Sequence, residues 1–272
     1  MDIIFIIYND ISNINFNPVA INIGPISITW YAISYILGLI FSWRYALFLS
    51  KRKYSITGEV IDSFFNNAIL GVIIGGRLGY VLLYNPSYYS NNPIEILFLW
   101  QGGMSFHGGL IGVIIAQIVT SKKFKVKFLV LTDISSLTVP LGFMLGRIAN
   151  FINGELYGRI TLHPIGIIFP NGGNFPRHPS QLYEAFFEGF ILFLILNLLF
   201  YFSKIKSLTG MLTGIFVLLY GVFRFFIEFF REPDVQLGLF FLSLTLGQIL
   251  CSLMIIVGLL TIIFSVKYSK SI

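Results

Sequence analysis

Three arginines stand where the surrounding chain is most apolar: Arg77, Arg147 and Arg224 each fall within or at the edge of a long hydrophobic run. A guanidinium at the centre of a bilayer costs roughly 2.5–3.5 kcal/mol on insertion scales, so ionisable groups there tend to face a cavity and mark function. Its planar fork suits carboxylate and phosphate oxygens. Arg224 lies in "YGVFRFFIEFFREPD", residues 220–234, where Tyr220, Arg224, Glu228 and Arg231 fall at i, i+4, i+8 and i+11 on one helical stripe and phenylalanines cover the other faces. Arg224 and Glu228 are spaced to pair, which still leaves N–H donors for a second anion. Arg224 also lies about 9 Å short of the end of its apolar run at 1.5 Å per residue, deep for a side chain that only snorkels; Arg77 can equally be a snorkelling residue.

Three further stretches carry polarity into apolar surroundings. In "GRIANFINGELYGR", residues 146–159, Arg147, Asn150 and Gly154 share a face at i, i+3 and i+7 with Glu155 at i+8. That pattern is either a helix C-terminus with its turn or a cradle for an anionic headgroup. In "GGMSFHGGLIG", residues 102–112, His107 sits among glycines. It is either an interhelical hydrogen-bonding residue or, with an ordinary pKa near 6.5, the best base in the region. In "RHPSQLYEAFFEG", residues 177–189, Glu184 and Glu188 stack at i, i+4 and would repel unless cations lie between them, so arginine partners are expected.

The elements that must position these groups follow from composition. Among 272 residues 56% are hydrophobic and 11% charged, with a mean hydropathy of +0.83, far from an ordinary soluble domain. The expectation is an all-α, polytopic integral membrane protein: one transmembrane domain over residues 1–272 with seven helices near 26–49, 64–83, 97–120, 128–148, 182–202, 210–230 and 239–266. The third is diluted by Gln101, Gly102, Gly103, Ser105 and His107 and can be broken or re-entrant. The outer loop 150–181 is long enough to be a lid or binding element. The N-terminal "IIFIIY" is too short to cross, and with Asp2 after Met1 it lacks the basic start of a cleaved signal peptide.

Basic residues set the orientation. Arg44, Lys51, Arg52 and Lys53, then Lys122, Lys123, Lys125 and Lys127, then Lys204 and Lys206, and finally Lys267 and Lys270 occupy alternate connections. The opposite side has Arg159, Arg177 and Arg231. The positive-inside rule therefore places the N-terminus outside and the C-terminus in the cytoplasm. In that orientation Tyr31, Arg77, His107, Arg147 and Arg224, from five spans, approach the outer-leaflet level. The net charge of +6 reads as a topology signal with some affinity for anionic headgroups, and the short basic runs without aromatic interleaving give no support for nucleic acid.

No Walker loop, H-E-x-x-H or Cys/His metal spacing occurs, so neither a metal nor another cofactor is expected. The single cysteine, Cys251, reads as a buried apolar residue. An anion carrier or flippase would also place charges within spans, but no inverted repeat appears and the polar groups gather toward the outer level rather than the midplane. A binding-only membrane scaffold is the third alternative.

Together "WY" at Trp30–Tyr31, "GGRLGYVLLYN" from Gly75, "GGMSFHGGLIG" from Gly102, "GRIANFINGELYGR" from Gly146, "RHPSQLYE" from Arg177 and "YGVFRFFIEFFREPD" from Tyr220 resemble the bacterial prolipoprotein diacylglyceryl transferases over nearly the whole chain. The resemblance implies a multi-pass inner-membrane enzyme, here taken as a monomer. It moves the diacylglyceryl group of phosphatidylglycerol onto the lipobox cysteine of a prolipoprotein signal peptide, releasing glycerol phosphate. The family's phospholipid-binding arginine falls on Arg147, its other critical arginine on Arg224 and its motif histidine on His107. Tyr31, Asn150, Glu155 and Gly158 fall at further motif positions, and Glu228 and Arg231 join them from the Arg224 stripe. Ala149 and Tyr157 stand where related sequences often have Gly and Trp.

Elementary chemistry agrees with that implication. A phosphodiester carries about one negative charge and gains nearly another on leaving as a monoester, so guanidinium groups bind the transition state more tightly than the substrate. A thiol of pKa near 8.5 is only about 3% thiolate at pH 7 and needs a base or a cationic environment. His107, Glu155 or the arginines themselves could supply it.

Overall fold

The computed structural model describes residues 16–54, 56–232 and 244–269. "IIFIIY", the Pro233–Asp234 end of the Arg224 motif, the first residues expected in the seventh span and Lys270 lie outside the described residues. In chain order the elements are β1 (Val19–Ile23), β2 (Ile26–Thr29), α1 (Trp30–Leu49), α2 (Gly58–Leu83), α3 (Pro86–Asn91), α4 (Phe106–Phe124), α5 (Phe128–Ile152), α6 (Ser180–Phe202), α7 (Met211–Ile227) and α8 (Leu246–Ser269). Among the described residues five helices are long and apolar enough to cross a membrane: Trp30–Leu49, Gly58–Leu83, Phe128–Ile152, Ser180–Phe202 and Leu246–Lys267. Met211–Ile227 is a shorter apolar helix. The protein is thus a helical membrane protein, with one small antiparallel hairpin, β1–β2, added to the expected helices.

Several expected boundaries move: the second helix starts at Gly58, the fourth ends at Ile152 and the sixth ends at Ile227, and two changes alter the kind of structure. The apolar run beginning at Ile26 is not helical until Trp30, because Ile26–Thr29 pairs with Val19–Ile23 across a Gly24–Pro25 turn. The expected third span is not a helix from Leu97. Residues Pro93–Leu97 and Leu99–Gln101 form 3₁₀ turns, and α4 begins at Phe106. Gly102 and Gly103 take φ of +79° and +78°, conformations open to glycine that end any helical run. Ser105 then caps α4, its side chain accepting from the Gly108 amide.

The chain forms two compact units, residues 43–134 and, from the two flanking segments, residues 1–42 with 135–272. The 43–134 unit packs α2 along α4, where a Cβ on Gly108 would lie 2.1 Å from the Gly75 carbonyl oxygen. Backbone meets backbone along this face, so small residues take the place of interlocking side chains. At the other end Ala46, Ile56, Val60, Ile61, Leu131 and Ile134 form a buried apolar cluster.

The larger unit holds β1–β2, the first part of α1, most of α5, and α6, α7 and α8. Ser42 Oγ donates to the Thr138 carbonyl at 3.2 Å, and Asn197 Nδ2 donates to the Phe193 carbonyl at 2.9 Å. Helix α6 is not uniform: residues Ser180–Glu184 are α-helical, Ala185–Ile191 form a π-helical turn, and Leu192–Phe202 return to α. Such widened turns inside helices concentrate at functional sites, and this one carries Glu188.

Candidate active site

Three arginines of the larger unit gather around one carboxylate. Glu184, fully buried, receives Arg147 Nε on Oε2 at 2.6 Å, with Arg224 Nη1 at 2.7 Å and Arg231 Nη1 at 3.0 Å, both on Oε1. Arg224 also meets Glu188 Oε1 at 3.5 Å and Glu228 Oε2 at 3.3 Å through its other amino group. Glu228 is held in turn by the Thr245 hydroxyl, which donates to Oε1 at 3.1 Å. The arginine partners expected for Glu184 and Glu188 and the expected Arg224–Glu228 pair are all present.

The layering of charge matters more than the pairing. The Arg147, Arg224 and Arg231 side chains are 24, 15 and 15% exposed, whereas those of Glu184, Glu188 and Glu228 are 0, 1 and 8% exposed. The carboxylates lie behind the guanidinium groups. The negative layer keeps the arginines from repelling one another.

Arg147 stands near the end of α5, and its Nε lies 2.6 Å from Glu184 Oε2. Nη1 makes a long 3.4 Å contact to Asn150 Oδ1. Asn150 Nδ2 donates to Glu155 Oε1 at 2.8 Å, and Asn153 Nδ2 reaches the same oxygen at 3.3 Å. Glu155 itself is exposed. The stretch is a helix end: α5 stops at Ile152, and Asn150, Asn153 and Glu155 form a chain of amide and carboxylate groups beside Arg147. Tyr31, exposed on the first turn of α1, lies within electrostatic reach of Glu155 and Arg147, and its hydroxyl pairs with that of Tyr35 at 3.0 Å.

Residues 153–179 form an ordered loop that braces this cluster. Gln181 Nε2 donates to the Glu155 carbonyl at 2.5 Å and Ser180 Oγ to that of Leu156 at 3.1 Å, fixing the start of α6 and hence Glu184. Gly158 pairs with Arg231 in an antiparallel bridge. A Cβ there would lie 2.3 Å from the Phe230 carbonyl oxygen and 2.8 Å from His178. Its contribution is to let the backbone bearing Arg231 close onto the loop. Arg177 stacks over Tyr157 at 4.9 Å, donates to the Gly172 carbonyl at 2.7 Å and pairs with Glu232 at 3.0 Å. His178, whose ring contacts Phe230 and whose Nδ1 lies 3.1 Å from the Tyr183 hydroxyl, has its pKa lowered by burial first and by His163 second.

The other two polar residues singled out from the sequence belong to the 43–134 unit. Arg77 is buried and its guanidinium is occupied by backbone. Nε donates to the Ile96 carbonyl at 2.8 Å, Nη2 to Glu95 at 2.6 Å and Nη1 to Gly102 at 2.5 Å. It is a staple for the turns before α4, neither a snorkelling residue nor a free cation. His107 is exposed on the first turn of α4, its ring 5.6 Å from that of Phe106. Among the described residues no group of three or more His, Cys, Asp and Glu side chains is placed to hold a metal.

Arg147 and Glu184, on two helices fit to span a bilayer, meet Arg224 and Arg231 in a cluster whose guanidinium groups suit an anionic group such as a phosphate, in a membrane protein. The comparison with known proteins names the class. Residues 18–264 match the prolipoprotein diacylglyceryl transferase family, and the chain belongs to it. It is 53% identical to the phosphatidylglycerol–prolipoprotein diacylglyceryl transferase of Rickettsia felis and 55% identical to that of Rickettsia canadensis, each over 90% of this chain and 95% of the relative. It is 51% identical to that of Wolbachia pipientis from Culex pipiens, over 90% and 93%.

Glu184 is the residue that sequence reasoning under-weighted. Its spacing from Glu188 signalled a need for cations, but nothing in the sequence showed that three arginines would converge on it.

Proposed function

We propose that this chain carries out the reaction for which its relatives are named: transfer of the diacylglyceryl group of phosphatidylglycerol to a prolipoprotein, with the lipobox cysteine thiol as acceptor. The C–O bond linking the glyceryl carbon to the lipid phosphate breaks, an S–C thioether bond forms, and glycerol phosphate leaves with the electron pair. The observation that carries this reading is the meeting of Arg147 and Arg224, from separate apolar helices, on a carboxylate buried behind them.

The roles follow from charge. Arg147, with Asn150 beside it, receives the phosphodiester. Arg224 and Arg231 meet the charge that grows as the phosphate departs, where electrostatic stabilisation counts most. Glu228 holds Arg224, Gly158 seats the backbone of Arg231, and Tyr31 and Glu155 line the approach. His107 is the proposed proton acceptor from the thiol, with Glu155 and direct lowering of the thiol pKa by the arginines as the competing routes.

We further infer one multi-pass domain of the bacterial inner membrane, acting as a monomer, with seven crossings and the N-terminus outside. The five long apolar helices, Met211–Ile227 and Phe106–Phe124 supply seven segments, and the alternation of Lys and Arg between connections supplies the direction.

The test incubates the purified protein with phosphatidylglycerol vesicles and a lipobox peptide. The expected result is a diacylglyceryl mass gain on the cysteine peptide, none when serine replaces cysteine, and none with folded Arg147→Ala. An unmodified cysteine peptide, or full activity of Arg147→Ala, would overturn the reading.

A further inference from the structure

Resting on the transferase reading and deepening it, we propose that Glu184 is the positioning residue of the reaction: it aligns the guanidinium groups of Arg147, Arg224 and Arg231 for the lipid phosphate without touching the lipid.

Three features of the geometry lead there. First, the division of its oxygens is unequal. Oε2 takes Arg147 through Nε at 2.6 Å, and Oε1 takes Arg224 and Arg231 through terminal amino groups at 2.7 and 3.0 Å. Arg147 comes nearest to Glu184 at Nε, and its Nη1 makes only a long 3.4 Å contact to Asn150 Oδ1, so the proposal gives the Nη1 side to a phosphate oxygen. Second, Glu184 has no exposure and sits behind the arginines, so it cannot compete for the ligand's face while it still fixes the spacing of the cations. Third, its backbone is anchored twice. Ser180 and Gln181 tie the first turn of α6 to the Glu155–Leu156 loop, and the π-helical turn starts at the next residue.

A carboxylate held only to neutralise buried arginines would not need this placement. Glu188 and Glu228 already lie against Arg224 at 3.5 and 3.3 Å. What Glu184 adds is reach to Arg147 and Arg231, joining helix α5 and the chain beyond α7 through one side chain. Preorganised donors of this kind act on the transition state, because their alignment is established before charge develops.

The experiment separates kcat from KM for phosphatidylglycerol in Glu184→Gln and Glu184→Asp, with lipid binding measured in nanodiscs without peptide acceptor. Glu184→Gln removes a negative charge from behind the cations, so the ground-state lipid should bind as well as or better than in the parent. The arginines should lose their alignment, and kcat should fall by at least about 100-fold, the loss typical of removing an aligned donor. Glu184→Asp keeps the charge but is too short to reach all three partners; kcat should fall less, with KM unchanged. If Glu184→Gln is not recovered folded, Glu184→Asp decides alone. A parental kcat in either folded variant overturns the proposal. So does a loss of lipid binding that matches the loss of kcat, because that is the mark of a structural prop. Absence of transfer by the parent protein itself would instead count against the transferase reading, which keeps the two failures apart.

Discussion

Replacing Arg224 by lysine tests whether the cluster works by charge or by the shape of the charge. Lysine keeps one positive charge but offers a single ammonium where the guanidinium presents two amino groups in a plane. In the structure those groups are committed on different sides: Nη1 to Glu184 at 2.7 Å and Glu188 at 3.5 Å, Nη2 to Glu228 at 3.3 Å. One ammonium cannot hold Glu184 and Glu228 together, so one buried carboxylate loses its counter-charge. Leaving a buried polar group without its partner costs about 1–3 kcal/mol of stability, more when it is charged. Loss of one aligned donor to developing negative charge costs about 2.7–4 kcal/mol in the transition state, or 100- to 1,000-fold in kcat. The expected outcome for Arg224→Lys is a protein that folds with a lowered unfolding temperature, retains binding of phosphatidylglycerol, and transfers 100- to 1,000-fold more slowly, read by mass spectrometry of the lipobox peptide. Activity close to the parent's would mean that net charge suffices and that the planar fork is incidental. Loss of lipid binding along with transfer would mean that Arg224 acts in the ground state.

Further consequences follow from the same contacts. Arg77→Met should leave backbone carbonyls of residues 95–102 without their donor and lower stability by about 1–3 kcal/mol, seen as a lower unfolding midpoint, with no change in KM for phosphatidylglycerol. Gly158→Ala puts a Cβ 2.3 Å from the Phe230 carbonyl oxygen; the overpacking should cost about 1–3 kcal/mol and reduce kcat by displacing Arg231, whereas a variant with parental kcat would uncouple the bridge from the cluster. The lowered pKa of His178 means that the folded state favours the neutral ring. Its contribution to stability is full above the ordinary imidazole pKa near 6.5 and is lost as pH falls below it. The unfolding midpoint should therefore drop between about pH 7.5 and 5.5, and His178→Gln should flatten that slope.

How much of this was legible in the sequence depends on the range of each interaction. Glu184 with Glu188, and Arg224 with Glu228, are neighbours on one helix turn, so spacing alone announced that carboxylates and cations would meet. Arg147 meeting Glu184 is a contact between α5 and α6, and Arg231 meeting Glu184 is one between residues far apart in the chain. No periodicity encodes either. The helix of the third expected span starts later for a related reason: the apolar run from Leu97 has the hydropathy of a crossing segment, but two positive-φ glycines and a cap at Ser105 delay the helix to Phe106. At the other end of the chain, the alternation in "VAINIGPISIT" with a Gly–Pro turn was a hairpin signal that the strong hydropathy of Ile26 onward concealed.

Arg77 and Arg147 show why burial of a charged residue is weak evidence by itself. Both lie toward the ends of apolar helices, and the sequence treats them alike. The difference is in what satisfies their donors. Arg77 spends its guanidinium on the carbonyls of Glu95, Ile96 and Gly102, so no N–H is left facing an open side. Arg147 is fixed at Nε by one carboxylate, and its terminal amino groups are left with a single long contact to Asn150. A guanidinium saturated by backbone is a structural clamp, while one held at a single corner is a clamp with its other edge open to a ligand. By that criterion the phosphate should be sought at Arg147, with Arg224 and Arg231 behind it. That expectation rests on the unequal filling of donors, which a sequence does not record.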